Sequence, residues 1–185
     1  GNVVYVRGES MDLDGSYNLI HPGDKLIDPD DGDTVGYEGI FVSEGKVTRG
    51  GDPATMQLNA SAREVVTGDR VASRAMPPPM HFMPRAPDKQ VEGRIMHVVD
   101  GVTQIGQYQV VIINRGVRDG IEPGHVLSIL RAGEKMNDPV KSGVFNRKVQ
   151  LPDEHAGVLM VFKAYDRISY GLVMNAVSAI HIYDK

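Results

Sequence analysis

The sequence predicts a mainly β chain: two small barrel- or sandwich-like domains, 1–75 and 89–185, joined by a Pro-rich linker at 76–88. Three observations predict it. The 21 glycines and 11 prolines are too many for a helical chain, because a helix interior loses about 1 kcal/mol per Gly and about 3 per Pro. Short runs rich in β-branched and aromatic residues recur between turn formers. The densest proline run falls near the middle of the chain. With 41% hydrophobic and 24% charged residues, the chain has a globular balance and enough apolar matter for a core. A length of 185 residues fits one large or two small domains, so the division rests on the linker.

The first half breaks into runs from Val3 to Arg7, Tyr17 to Ile20, Lys25 to Ile27, Thr34 to Phe41, Gly45 to Arg49, Thr55 to Asn59 and Arg70 to Ala72. Pro22-Gly23, Asp31-Gly32, Gly50-Gly51-Asp52-Pro53 and Gly68-Asp69 separate them, each a turn former. From Met76 to Pro87, five prolines remove backbone donors and enforce extended backbone. The apolar side chains of Met76, Met80, Phe82 and Met83 predict that this strap docks along a surface.

The second half opens with a run from Val91 to Val99, an Asp100-Gly101 turn, and a run from Tyr108 to Ile113 whose Gln109-Val110-Val111-Ile112-Ile113 reads as a buried central strand. Later runs are Val126 to Leu130, Gly157 to Ala164, Ile168 to Asn175 and Ala179 to Tyr183. Ser61 to Glu64 and a turn near Arg118 are the only helical candidates. The polar stretch from Ala132 to Ala156 reads as a flexible loop, long enough that a functional role also fits.

One pattern recurs three times: Ile20-His21-Pro22-Gly23-Asp24-Lys25-Leu26, Val66-Thr67-Gly68-Asp69-Arg70-Val71 and Ile121-Glu122-Pro123-Gly124-His125-Val126-Leu127. Pro followed by Gly fits the central positions of a type II turn, which needs positive φ at the second. These turns support fold, not chemistry.

A net charge of −4 without a Lys/Arg run argues against nucleic acid as partner. No apolar run approaches the roughly 20 residues of a membrane span, so the chain is not expected to be membrane-embedded. Gly1 to Arg7 has no signal-peptide h-region, so the protein is either cytoplasmic or its export signal lies outside this sequence. Without Cys there is no disulfide or thiol nucleophile.

Asp28-Pro29-Asp30-Asp31-Gly32-Asp33 invites a calcium reading, but an EF-hand's sixth and twelfth positions fall on Asp33 and Gly39 instead of Gly and Glu. A solvated acidic turn is the expectation. The six histidines never take His-x-x-x-His or His-Glu-x-x-His spacing, and no nucleophile elbow, dinucleotide loop or phosphate loop is present. Catalytic, metal and cofactor residues are therefore expected to be absent. Met76, Met80, His81 and Met83 mix thioether and imidazole donors that suit Cu(I), yet Met also packs straps onto domain faces. Packing is the favoured expectation.

From Tyr5-Val6-Arg7-Gly8 onward the chain resembles LysM-containing, periplasmic, type IV pilus secretin-associated proteins of Gram-negative bacteria, in the region after LysM. The likeness runs through Asp28-Pro29, Gly36-Tyr37-Glu38, Gly51-Asp52-Pro53-Ala54-Thr55, Arg63-Glu64-Val65 and Gly68-Asp69-Arg70-Val71. It continues through Phe82, Pro84, Gly93-Arg94-Ile95, Val111-Ile112-Ile113-Asn114-Arg115-Gly116, Asp119-Gly120, Gly124-His125-Val126-Leu127 and Gly157 to Met174. The second half is similar to the C-terminal domain of a flagellar outer-ring protein. None of these pieces is a chemical motif; their order and extent carry the likeness.

The resemblance implies a periplasmic, non-enzymatic scaffold that contacts the outer-membrane secretin ring, with peptidoglycan gripped by a LysM module outside this chain. Candidate partner contacts are Met80, His81, Phe82 and Met83 in the linker and Asn146 and Arg147 in the long loop. The alternatives are a periplasmic glycan- or metal-binding module and a cytoplasmic assembly factor. Absent Trp and 6% aromatics weaken the sugar reading.

Overall fold

The computed structural model describes residues 2–8, 11–74, 83–99, 104–133, 135–137 and 148–185. The chain is mainly β, in antiparallel sheets that include a half-barrel. It forms two compact units: Gly1–Lys25 with Gly36–Pro79, and Leu26–Val35 with Met80–Lys185. The second unit thus takes a ten-residue insertion from the first half of the sequence.

Unit 1 is built on β1 (Val3–Val6), β2 (Ser16–Ile27), β3 (Thr34–Arg49), β4 (Ala54–Ser61) and β5 (Arg70–Ser73). They form one five-stranded sheet in the order β1-β4-β3-β2-β5. Its centre is Leu19, Val42, Val47, Met56 and Leu58. The sequence predicts breaks within β2 and β3, and the structure has none. Asn18 and Ile20 face Ala72 and Arg70 of β5, and the Arg74 amide donates to the Ser16 carbonyl. By alternation the Pro22 nitrogen points to that same side, beyond the start of β5, where no donor is required. Pro22-Gly23 therefore stays in the strand instead of turning. Gly45 keeps β3 running for a different reason: a Cβ there would lie 2.5 Å from the Sδ of the fully buried Met56.

The other two copies of the recurring pattern do turn. Gly68 (φ 107°) and Gly124 (φ 95°) take the positive φ that the third turn position requires. The turns close through Asp69 N–H to Val66 carbonyl at 3.2 Å and His125 N–H to Glu122 carbonyl at 3.1 Å.

Unit 2 contains β6 (Ile95–Val98), β7 (Gln104–Ile105), β8 (Val110–Ile113), a 3-10 turn (Val117–Asp119), β9 (Val126–Arg131), β10 (Lys135–Asn137), β11 (Lys148–Gln150), β12 (Glu154–Ala164), β13 (Ser169–Ala176) and β14 (Ile180–His181). Its main sheet has the order β6-β8-β13-β12-β9, with β10-β11 and β14-β7 as two-stranded ribbons. Strand β8 is central, as its composition predicts. Val111 and Ile113 enter the larger core with Ile129, Leu159, Val161 and Val173. Ile112 points to the opposite face, where Leu26 of the inserted segment, Met96 and Ile168 cover it. Burial on both faces is why four consecutive apolar residues are needed.

The 3-10 turn lies at the Arg118 position, but Ser61 ends β4 and no helix follows it. The stretch from Ala132 to Ala156, expected to be a loop, holds the β10-β11 pairing and the start of β12 in its described parts. The Asp100-Gly101 turn lies outside the described residues. At the end of the proline stretch, Arg85 bridges His125 in parallel and ion-pairs with Glu122. Met83 stands 84% exposed, so the expectation that it packs is wrong. Its neighbours Met80, His81 and Phe82 lie outside the described residues, as do Asn146 and Arg147.

Candidate functional site

Two places concentrate polar or apolar groups that a simple β core would not need. The first is the acidic run in unit 2. Asp28 is 2% exposed and Asn114 is fully buried, whereas Asp30, Asp31 and Asp33 stay exposed, so the turn is solvated as composition suggests except at Asp28, which anchors it. The Asn114 Nδ2 donates to Asp28 Oδ1 at 2.7 Å and to Asp30 Oδ2 at 2.8 Å, while its Oδ1 accepts the Arg94 amide at 2.6 Å. Arg115 Nη2 lies 2.8 Å and Arg94 Nε 3.2 Å from Asp30. Arg167 reaches Asp31 at 2.9 Å and Asp33 at 3.2 Å. The Arg115 hydrogen bond, helped by Asn114 and Arg94, holds the Asp30 carboxyl below its ordinary value against the opposing effect of burial. Asp33, Asp31 and Asp28 raise Arg167 further. Each carboxylate thus has a protein donor, so the cluster is a tie that fixes residues 26–35 into unit 2, not a cation site.

The second place is a groove of about 690 Å³ in unit 1. Val4, Tyr5, Val6 and Arg7 line one side, Arg70, Val71 and Ser73 the other, and Met11, Tyr17, Leu19 and Val65 complete the apolar lining. Strands β1 and β5 are the two outer strands of the sheet order, so the sheet curls until both edges border one cavity. Val4, Val6, Met11, Tyr17, Val65 and Val71 pack against the unit 1 core yet remain only partly buried. The core therefore opens into the groove.

The Val66–Asp69 turn shapes its far wall. Burial acts to raise the Asp69 carboxyl, but hydrogen bonds from the Val66 amide at 2.9 Å and the His21 Nδ1 at 2.7 Å outweigh it and lower the group below its ordinary value. At the rim, Tyr5 is 74% exposed and Arg7 lies 3.8 Å from Asp52.

Sequence reasoning missed the groove. The runs that hold Val4, Val6 and Val71 read simply as strands, and only the sheet order reveals that two edges meet beside them. Of the six residues singled out as partner contacts, the structure places only Met83, and it does not line the groove. Among the described residues no group of three or more His, Asp or Glu is disposed to hold a metal ion. No helix among them is long and apolar enough to cross a membrane. No family model matches the chain, and no curated protein sequence is significantly similar to it.

Proposed function

We propose that the chain is a non-enzymatic scaffold of the periplasm that associates with the outer-membrane secretin ring of type IV pilus machinery. Peptidoglycan anchoring then belongs to a LysM module outside this chain. The observation that carries the binding-module reading is the groove: an apolar core left open between two sheet edges, a surface suited to recognition. The assignment to a secretin rests on the ordered likeness from Tyr5 to Met174. Structure gives two of its pieces a common purpose, because Asp28-Pro29 and Asn114-Arg115-Gly116 contribute to the same ionic tie. Their co-occurrence follows from fold.

The test is co-purification of the chain with a secretin ring, whose many identical subunits would add weak contacts through avidity. Retention of the chain with the ring supports the assignment; recovery of the ring without it overturns it. A glycan-binding module is the second reading, favoured by Tyr5 and Tyr17, two rings on one groove. Sedimentation with purified sacculi separates the two: the scaffold stays in the supernatant, whereas the glycan module pellets.

A further inference from the structure

The pairings of unit 1 fix the direction of its edges. β1 runs antiparallel to β4, β4 to β3, and β2 to β5. The short connection 28–33 makes β2 and β3 antiparallel as well, since a parallel pair needs a crossover of about a dozen residues or more. An odd number of alternating strands leaves the two outer strands pointing the same way. β1 and β5 are therefore parallel in direction, and one strand laid between them can run antiparallel to both.

The backbone groups required for that pairing are in place. The Leu58 amide donates to the Asn2 carbonyl, so by alternation Val4 and Val6 also face β4, while Val3 and Tyr5 turn their amides and carbonyls outward. The Arg74–Ser16 bond sets the same alternation on β5 and turns Val71 and Ser73 outward. No described residue takes up these outward groups. Sheet edges in this state accept added strands.

We infer that the groove receives one extended segment of a partner protein, antiparallel to both β1 and β5, which converts the open five-stranded sheet into a closed six-stranded barrel. This rests on reading the chain as a binding module and names the chemistry of its partner. Alternate side chains of the segment face Val4, Val6, Leu19, Val65 and Val71, so they are apolar and of valine to leucine size. Arg7 and Arg70 line the same groove, so acidic residues at the ends of the segment are complementary. The chain's own Pro77-Pro78-Pro79 lacks three successive N–H donors and cannot supply the ladder.

The probe is the end-blocked peptide Asp-Val-Thr-Val-Thr-Val-Asp, titrated into the isotopically labelled full chain while amide exchange is followed residue by residue. Saturable binding with new protection at Val3, Tyr5, Val71 and Ser73 together is the expected result. Tyr5→Pro and Val71→Pro each delete one outward N–H without touching the ladder to β4 or β2, and each weakens binding about tenfold, the value of one hydrogen bond. Retained circular dichroism establishes that both variants fold. Should either fail to fold, peptide-induced protection in the unaltered chain still decides.

Protection of one edge alone, no binding at millimolar peptide, or self-association of the chain through these amides overturns the inference. The ring assay keeps its fate separate from that of the secretin reading. A ring that retains both Pro variants as well as the unaltered chain sinks the groove inference and leaves the secretin assignment standing. Peptide closure of the barrel without ring association does the reverse.

Discussion

The two units solve the same packing problem to different degrees. In unit 2 both faces of strand β8 are covered, one by the β9, β12 and β13 side chains and the other by the inserted segment with Leu26. In unit 1 a five-residue buried centre is fringed by six partly buried apolar residues, four of them valines. A core that ends in half-buried valines has not failed to close at random: its opening coincides with the two outer edges of a single sheet. The difference teaches where each kind of function can reside. A closed core supports a rigid platform, whereas an open one still has hydrophobic burial to gain when something is added.

Truncating equivalent aliphatic residues should break the symmetry between the units most strongly. Ile129→Ala removes a side chain at the centre of the closed core and should destabilise unit 2 by about 3 kcal/mol through lost burial and a residual cavity. Val65→Ala, on the groove wall, should cost less than about 1 kcal/mol because part of the side chain is already in water. Denaturant melts read by amide exchange within each unit check both values. Equal losses would mean that the groove is as well packed as the closed core.

The next effect concerns the tie that holds the insertion. Asn114→Ala takes the 2.7 Å donor from the buried Asp28, leaving it the Asp30 amide at 3.0 Å and Arg167 at 3.9 Å, and removes the acceptor of the Arg94 amide, which should cost about 2 kcal/mol. Leu26 and Val35 should lose exchange protection together with Ile112 and Ile168, whose face they share. Loss at the carboxylates without loosening of Leu26 would show that apolar contact alone seats the segment.

Much of this architecture is legible in the sequence, but unequally. The all-β class and central β8 follow from glycine, proline and β-branched content. The third positions of two turns follow from Gly68 and Gly124. What the sequence conceals is partnership at long range. Asp28 and Asn114 lie 86 positions apart, so the sequence does not show that one carboxylate of a solvated run is buried against a distant donor. Pro22-Gly23 looked like a turn because sequence does not show where a neighbouring strand starts. The groove was invisible for a related reason: edge status is a property of sheet order, not of Val4 or Val71 themselves. Exposed Met83 shows the converse error, an apolar residue assigned to packing by type alone.

Turn glycines give a smaller and more even comparison, one placed in each unit by the same pattern. Gly68→Ala puts a side chain at φ 107° with nothing within 4 Å of the new Cβ, so its cost is backbone strain of about 1–2 kcal/mol. Gly124→Ala meets the same conformational penalty at φ 95° but at a buried position. Thermal melts should show at least as large a loss for Gly124→Ala as for Gly68→Ala, with peptide binding impaired only by the Gly68 change, because that turn lines the groove.

Acid should act most gently, and on both units in the same direction. Asp30 in unit 2 is lowered below its ordinary value of 3.8 by Arg115, Asn114 and Arg94 acting against burial. Asp69 in unit 1 is lowered from the same value, burial opposing and the Val66 amide and His21 prevailing. A carboxyl depressed in the folded state binds its proton more weakly than in the unfolded chain. Its stabilisation is complete above about pH 4, the unfolded value, and is lost as pH falls through the lower folded value. Asp30 remains partly open to solvent, which screens the effect. Carboxyl-carbon titration should therefore find both groups titrating below the free aspartates, and Asp30→Asn should flatten the acid limb of unit 2 while leaving that of unit 1 unchanged. A normal titration at Asp30 would show that Arg115 and Arg94 do not hold its carboxylate, and that the tie depends on Asp28 with Asn114 and on Arg167 with Asp31 and Asp33.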